Sequence, residues 1–439
     1  MGGDSTVTET GCDYDVLVIG GGPAGATMST FLADRGRGVA VIEKDVHPRF
    51  HIGESLLPLS MPVFERLGVV DKVADIGMIK YGAEFVSPWH RKTQTYYFGG
   101  ALDKAYPYAY QVKREDLDRI LIDNAADKGV AVSQGSRVVD AHRHGGRWDV
   151  AVEDRDGGRR SLTARYLVDA SGRDTFMGKK LGIKQRNPNH NSAAIFSHFE
   201  NAERLGGIDE GNISVFWFDH GWFWFIPFRD GSVSVGAVCW PDYLKTRNTD
   251  VDSFLLETIQ KCPPLAERLR DARMTMPARA TGNFSYQADR IFGDGYMLLG
   301  DAYAFVDPVF SSGVHIALNS ATHATEVVEA ALREDPELAD IQARYEERIH
   351  QALEDFSWFI YRITQPAMRR MFLKPRNVLR VKEAILSLLA GDLFRDTPVR
   401  WRLQLFKAFY AWTYLIHLPS NIAAKRRRQR AVALAAEAG

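Results

Sequence analysis

The chain has 439 residues, 45% hydrophobic and 25% charged, a composition that argues against disorder and low-complexity repeats. At ~150 residues per domain its length corresponds to about three structural units. Lys plus Arg and Asp plus Glu balance at 55 each, so no global charge points to nucleic acid. Cys12, Cys239 and Cys262 lie far apart without a CxxC pair, which argues against a disulfide framework and a structural zinc centre. The histidines show no HExxH spacing and no GxSxG elbow is present, so neither a catalytic metal nor a serine hydrolase is implied. Met1–Thr10 is polar rather than signal-like, and Phe409–Leu418 is half the ~20 residues a spanning helix needs. The expectation is a cytoplasmic globular protein with no transmembrane segment and no nucleic-acid partner.

Asp15–Gly20 reads as a buried parallel strand, Ala24–Arg35 as a helix, and Val39–Ile42, ending at Glu43, as a second strand: one βαβ unit. Segments 82–112 and 190–240, including Ile213–Phe218 and Val233–Trp240, read as antiparallel strands. Between them Arg147–Asp154 and Arg159–Asp169 flank the turn Asp156-Gly157-Gly158, a hairpin returning to the first domain. Tyr296–Leu299 is another short strand, leading into Gly300-Asp301-Ala302. From Ser312 onward Gly313–Glu334, Pro336–Met371, Val378–Gly391 and Pro398–His417 carry helical spacing. The closing charge run Lys425–Arg430 reads as a solvated end, the alternative being a nucleic-acid or anionic-membrane contact.

Gly20-Gly21-Gly22-Pro23-Ala24-Gly25 fits GxGxxG between a strand and a helix, with Glu43 at the end of the next strand. In that context Gly20 permits the tight turn, Gly22 lets the backbone approach a pyrophosphate, and Gly25 allows close helix–sheet packing. The helix start adds N–H donors and a positive dipole end. Glu43 can accept from a ribose 2′-OH and repels a 2′-phosphate, favouring FAD or NAD over NADP; Ala24 and Lys44 complete this contact set. Arg114, opening a helix, is placed to reach a sugar or pyrophosphate, and Asp301 to bind ribityl hydroxyls. Together these two favour FAD.

In this order and spacing the motifs resemble those of the FAD-dependent monooxygenase superfamily over residues 13–330. The resemblance implies an α/β fold. A Rossmann-like FAD-binding domain (13–85, 113–185 and 286–335) would be interleaved with an antiparallel-sheet substrate domain (86–112 and 186–285) and followed by a C-terminal helical cap with a basic tail (336–439).

Two features narrow the resemblance. Trp222-Phe223-Trp224-Phe225-Ile226-Pro227 matches the WxWxIP motif of flavin-dependent halogenases. Trp222, Trp224, Ile226 and Pro227 would then form a barrier whose indoles keep an organic substrate from the flavin while a halide passes. The same alternation on a strand also serves core packing. Lys80 follows His51-Ile52-Gly53-Glu54-Ser55-Leu56-Leu57-Pro58, which is similar to the segment preceding the halogenase active-site lysine. The resemblance implies that Lys80 activates hypohalous acid, HOX. It would do so either as an ammonium bonded to HOX or, with its pKa lowered by burial, as a haloamine. Lys72, on an amphipathic stretch facing solvent, is the weaker alternative. Glu54 is the candidate base for the ring proton.

Asp307–Val314 looks like the halogenase halide-and-flavin loop. Ser311 or Ser312 can cap the next helix, Pro308, Gly313 and Val314 would contact the cofactor, and the backbone at Ser312 and Gly313 would hold chloride or bromide. Halogenases of free tryptophan carry a Glu where this chain has Phe310, which shifts weight to phenolic or pyrrolic substrates, free or tethered to an acyl carrier protein. Ala170-Ser171-Gly172-Arg173 stands where single-component aromatic hydroxylases carry Asp-Gly, and there is no second GxGxxG for a pyridine nucleotide. A separate flavin reductase is therefore expected to supply FADH2. The competing readings are an aromatic hydroxylase, a geranylgeranyl-reductase-like flavoenzyme and, outside enzymes, a flavin-binding regulatory or carrier-binding protein.

Overall fold

A computed structural model of the chain describes residues 11–89, 92–187, 192–282 and 285–426. Met1–Thr10 and positions 427–430 of the basic run lie outside the described residues. Two eight-stranded sheets organise the fold. In the first, Tyr14–Ile19 lies between Arg159–Asp169 and Val39–Glu43, parallel to both, and Ala131–Gln134 and Tyr296–Leu298 extend it in parallel on the two sides. The apolar run Val16–Ile19 is buried throughout, as a strand covered on both faces must be. The helix Pro23–Ala33 starts with Pro at its first turn and packs on the sheet and on the helices Arg114–Asp127 and Ser312–Leu332. The hairpin Arg147–Asp154/Arg159–Asp169 forms with antiparallel register, as its turn residues predict.

The second sheet carries Ala193–Glu200, Val233–Cys239, Gly221–Pro227, Ile213–Phe218, Gly82–Ser87 and Lys92–Tyr97 side by side. Its neighbours are antiparallel except for one pair: Ile213–Phe218 runs parallel to Gly82–Ser87. That pairing needs a long crossover, and the intervening chain supplies one by returning through the first sheet. The 85/86 division drawn from the sequence falls inside Gly82–Ser87, a strand buried along its whole length, so no change in polarity marks where the second sheet begins. Alternation separates two cores. Trp217, Trp222, Trp224 and Ile226 face the larger one, while Phe216, Phe218, Phe223 and Phe225 face a smaller one.

The C-terminal region is helical over Leu338–Ile360, Pro366–Leu373, Val381–Ala390 and Val399–Ile416. The continuous helix read over Pro336–Met371 is two helices, because Pro366 lacks the N–H needed to continue the ladder and instead opens a new one. Two hydrogen bonds tie this region to the Lys92–Tyr97 side: Tyr96 Oη donates to Phe372 O (2.7 Å) and Leu102 N to Ser387 Oγ (3.0 Å). No helix among the described residues is long and apolar enough to cross a membrane, and none of their His, Cys, Asp and Glu residues cluster as a metal site.

Candidate active site

A cavity of about 940 Å³ opens at the carboxyl ends of the parallel strands, walled by Gly20, Glu43, Ala170 and Leu299, among others. The three glycines of the fingerprint play different parts. Gly20 has φ +101° and a Cβ there would sit 2.5 Å from Ala170 O; at Gly25 it would sit 1.9 Å from Gly20 O. Both positions are closed by the fold itself. At Gly22 the nearest atom is Arg49 Nη2 at 3.9 Å, so the space in front of the helix start is left for a ligand. Glu43 does more than face a ribose: its carboxylate accepts the N–H of Gly21 (2.7 Å) and of Asp45 (2.9 Å), fixing the loop. Ala24 lies in the wall, and Lys44 pairs with Asp174 across the mouth.

Arg114 opens its helix as expected and lines the cavity, held by Asp118 (2.8 and 3.0 Å) and by Ile52 O (2.8 Å). Burial pushes the Asp118 carboxyl up, but Arg114, His51 and Arg49 outweigh it and hold it below the usual range. Asp301 also lies in the wall; burial raises it to about 6, against the pull of Arg173 and Arg114. Arg173 follows the end of the Arg159–Asp169 strand, donates to Thr281 Oγ1 and Gly282 O, and lies over the Phe305 ring. Sequence reasoning did not assign it a contact, although its place after a central parallel strand was a signal.

Pro308, Ser311, Gly313 and Val314 are wall residues at the start of the Ser312–Leu332 helix. Neither serine caps that helix through its side chain. Ser311 sits at the N-cap with φ +58°, outside the extended backbone that aims a capping hydroxyl at the first-turn N–H groups. The Ser312 Oγ is buried without a partner, and nothing lies within 4 Å of where a Gly313 Cβ would be. The first-turn N–H groups thus receive no acceptor from either serine side chain, and the backbone at Gly313 borders open space.

Trp222, Trp224 and Ile226 project from one face of Gly221–Pro227 into the cavity wall, the two indoles 6.0 Å apart. Pro227 ends the strand and is not in the wall, since alternation turns it to the other face. Trp224 lies across Gly236, where a Cβ would meet the indole at 2.2 Å, and donates to Ser234 Oγ (3.0 Å). Trp222 hydrogen-bonds to Asp307, which also accepts from Ser192 Oγ (3.1 Å). Burial pushes the Asp307 carboxyl up to about 7.

Lys80 is more secluded than partial desolvation implies, with 1% of its surface exposed. It ends the strand Met78–Lys80, paired with Ala109–Gln111. Its Nζ donates to Ser55 Oγ (2.9 Å) and Leu56 O (3.0 Å), and burial lowers its pKa to about 7. Lys80 is not in the cavity wall, but Ser55 is, so one side chain separates the amine from the cavity. Glu54, also in the wall, is hydrogen-bonded to His198 Nε2 (2.8 Å). Ser55 and Asp307 stand in the motifs read from the sequence without a role of their own, and no local signal marks His198. Lys72 is on the surface.

A dinucleotide cradle, an uncapped helix start, an indole wall and a buried amine are thus grouped around one cavity. Residues 13–357 match the family model described as FAD binding domain. The chain is 31% identical over 408 residues to a chlorinase of 1H-pyrrole-2-carbonyl-peptidyl-carrier protein from Pseudomonas fluorescens, covering 87% of this chain and 90% of that protein. It is 31% identical over 326 residues to a brominase of the same type of substrate from Pseudoalteromonas luteoviolacea, covering 73% and 78%. Among solved structures, the myxobacterial chondrochloren halogenase CndH superposes with a TM-score of 0.77 at 33% identity, covering 88% of this chain and 92% of that one. A flavoprotein/dehydrogenase from Cytophaga hutchinsonii superposes with a TM-score of 0.85 at 27% identity, covering 92% and 99%.

Proposed function

The chain belongs to the flavin-dependent halogenases of the FAD-binding-domain family, and from that premise we propose that its buried Lys80 directs hypohalous acid onto a pyrrole ring delivered by a carrier protein. The observation that carries this reading is the placement of Lys80 one residue behind the wall of the cofactor cavity. FAD fits that cavity: Gly22 leaves room for the pyrophosphate, the uncapped helix start offers donors, and Glu43, Lys44, Arg114 and Asp301 lie along the wall. When bound and reduced, FAD supplies the activation of O2 that oxidises a halide to HOX.

The chain's own groups then act on the halide, HOX and the ring. The N–H groups at Ser312 and Gly313, with the partnerless Ser312 hydroxyl, hold chloride or bromide at the helix start. Trp222, Trp224 and Ile226 keep an aromatic ring out of the cofactor side. At Lys80, two of the three ammonium N–H groups donate to Ser55 Oγ and Leu56 O, and the third is the donor that polarises HOX. Glu54 is held by His198 in the wall of the cofactor cavity, on the side from which the indoles exclude the ring, so its carboxylate shapes that wall and the acceptor of the ring proton is not assigned to it. Phe310 in place of the tryptophan-halogenase Glu, and relatives that act on carrier-bound pyrrole, support the pyrrolic substrate. The single dinucleotide fingerprint supports a separate flavin reductase. The segmental division proposed from the sequence is retained, with the first substrate-domain segment beginning at Gly82.

Purified chain supplied with FAD, a flavin reductase, NADH and chloride or bromide should halogenate pyrrole-2-carbonyl carrier protein, read by mass spectrometry beside free pyrroles, phenols and indoles. Lys80→Ala should bind FAD normally and yield no halogenated product. Wild-type yield from that variant would remove Lys80 from the mechanism, and halogenation of only the free phenols would overturn the substrate.

A further inference from the structure

Gln111 is fully buried, and the two ends of its amide fare differently. Nε2 donates to Gly211 O (3.0 Å), whereas Oε1 meets no donor among the described residues. A buried acceptor without a partner is destabilising and uncommon in a folded chain, so this one calls for an occupant. Its place is set by register. Lys80 stands opposite Ala109 and Met78 opposite Gln111, so alternation puts Lys80 and Gln111 on one face of this strand pair. On its other side Gln111 is bridged to Ser55. The bonds from Leu56 N to Tyr110 O (3.0 Å) and from Val112 N to Glu54 O (2.8 Å) bracket that bridge. Ser55 and Gln111 are therefore a non-hydrogen-bonded antiparallel pair, the kind whose side chains lie closer together. Lys80 reaches across the small Ala109 to donate to Ser55 Oγ and Leu56 O, so its ammonium ends on the face that Gln111 shares.

We infer that Gln111 Oε1 accepts the O–H of hypohalous acid and so fixes HOX against Lys80, an inference that rests on the assignment of HOX to Lys80 above. The Lys80 N–H not given to Ser55 or Leu56 donates to the HOX oxygen. The hydrogen of HOX then needs an acceptor of its own, because Lys80 and Gln111 are both closed to solvent. Gln111 Oε1 is a partnerless acceptor on that face. With its oxygen held through both a lone pair and the hydrogen, HOX has only its halogen end free to meet the ring. HOX has two heavy atoms, close to the scale of a buried water, so it suits a place that water would otherwise fill. Ser55, which holds Lys80, lies in the wall of the cofactor cavity, so HOX formed there meets this pair on leaving it. Gln111 itself is unchanged by the reaction: HOX and a ring C–H give C–X and water, and the O–H it holds leaves in that water.

The test follows where HOX goes. Full chain with FAD, a flavin reductase, NADH and chloride is given whichever aromatics the wild type halogenates, with taurine in solution to capture escaped HOCl as N-chlorotaurine. Gln111→Met keeps the side-chain length and removes the acceptor. It should bind FAD and consume NADH as wild type does. Its halogenated yield per NADH should fall at least about fivefold, the fold-change of one hydrogen bond, with the deficit recovered as N-chlorotaurine. Gln111→Asn draws the oxygen back by one methylene and should leak in the same way, which keeps the test open if Gln111→Met fails to fold. Gln111→Glu keeps an oxygen in place and should retain most of the yield. Wild-type yield from the folded Met or Asn variant means that Oε1 holds a structural water only and overturns the inference. A lost yield without N-chlorotaurine overturns it by making Gln111 a packing residue. A loss confined to pyrroles, with phenols untouched, overturns it by making Gln111 a reader of the ring N–H. Inactive Lys80→Ala beside a fully coupled Gln111→Met sinks this inference alone. Wild-type yield from Lys80→Ala sinks the assignment of HOX to Lys80, and this inference with it.

Discussion

Ser55 Oγ accepts a hydrogen bond from Lys80 Nζ at 2.9 Å while Ser55 itself forms part of the cavity wall. The hydroxyl is one of two acceptors that stabilise the charged amine in a site where burial has already brought its pKa to about 7. Ser55→Ala removes one acceptor and leaves the burial, so the pKa moves further down and less ammonium is present at neutral pH. Halogenation at pH 7.5 should fall on the order of tenfold, about the worth of one charge-assisted hydrogen bond. The alkaline limb of the pH–rate profile should shift to lower pH, and Ser55→Thr should restore both. A loss of rate with an unmoved limb would make Ser55 a packing residue only.

Lys80 should also cost the fold stability. Between about pH 7 and 10.5 the unfolded chain holds this proton and the folded chain does not, so its contribution to stability rises with pH through that window and the full penalty applies below 7. The shift is worth on the order of a few kcal/mol, set against two lost hydrogen bonds of ~1 kcal/mol each. Lys80→Met should therefore change the melting temperature more favourably at pH 6 than at pH 9.5 while abolishing halogenation. Calorimetry at the two pH values decides it; an equal change at both would mean that the amine is not desolvated.

The fingerprint glycines should separate fold from ligand. Gly25→Ala drives a methyl into Gly20 O at 1.9 Å and should prevent the native fold. Gly22→Ala meets nothing closer than 3.9 Å, so the chain should fold with unchanged circular dichroism yet bind FAD at least about tenfold more weakly, because the methyl occupies the pyrophosphate's approach. Equal FAD affinity in folded Gly22→Ala would place the cofactor elsewhere.

What the sequence disclosed was local. The turn-and-helix geometry around Gly20–Gly25, the hairpin at Asp156-Gly157-Gly158 and the alternation in Trp222–Ile226 are fixed by neighbours a few residues away, and each appears in the structure as read. What stayed hidden depends on residues distant in sequence. Glu54 meets His198, Trp222 meets Asp307, and Ile213–Phe218 finds a parallel partner in Gly82–Ser87, each across more than eighty residues. The Ser311 reading failed for a different reason: residue type favours a cap there, but the backbone takes the left-handed region and the hydroxyl cannot serve. Lys80 was identified by motif, yet the depth of its burial follows from the loop Ser55–Leu56 and the Phe98 ring closing over it.

Asp307 joins the halide loop to the indole wall, and its charge state offers a test of that joint. Burial raises its pKa to about 7, so between pH 3.8 and 7 the folded chain keeps a proton that the unfolded chain releases, and stability is lost as pH rises through that window. Asp307→Asn has the same shape, never ionises, and still offers an oxygen to Ser192 and Trp222. It should raise the melting temperature at pH 8, with the gain vanishing near pH 4, and leave the yield of halogenated product per NADH unchanged. Asp307→Leu is equally neutral but accepts no hydrogen bond, so Trp222 loses its anchor and the wall loosens. That variant should consume NADH at the wild-type rate while its halogenated yield falls severalfold. If Asn and Leu give the same yield, Trp222 is held by packing alone and Asp307 has no part in the barrier.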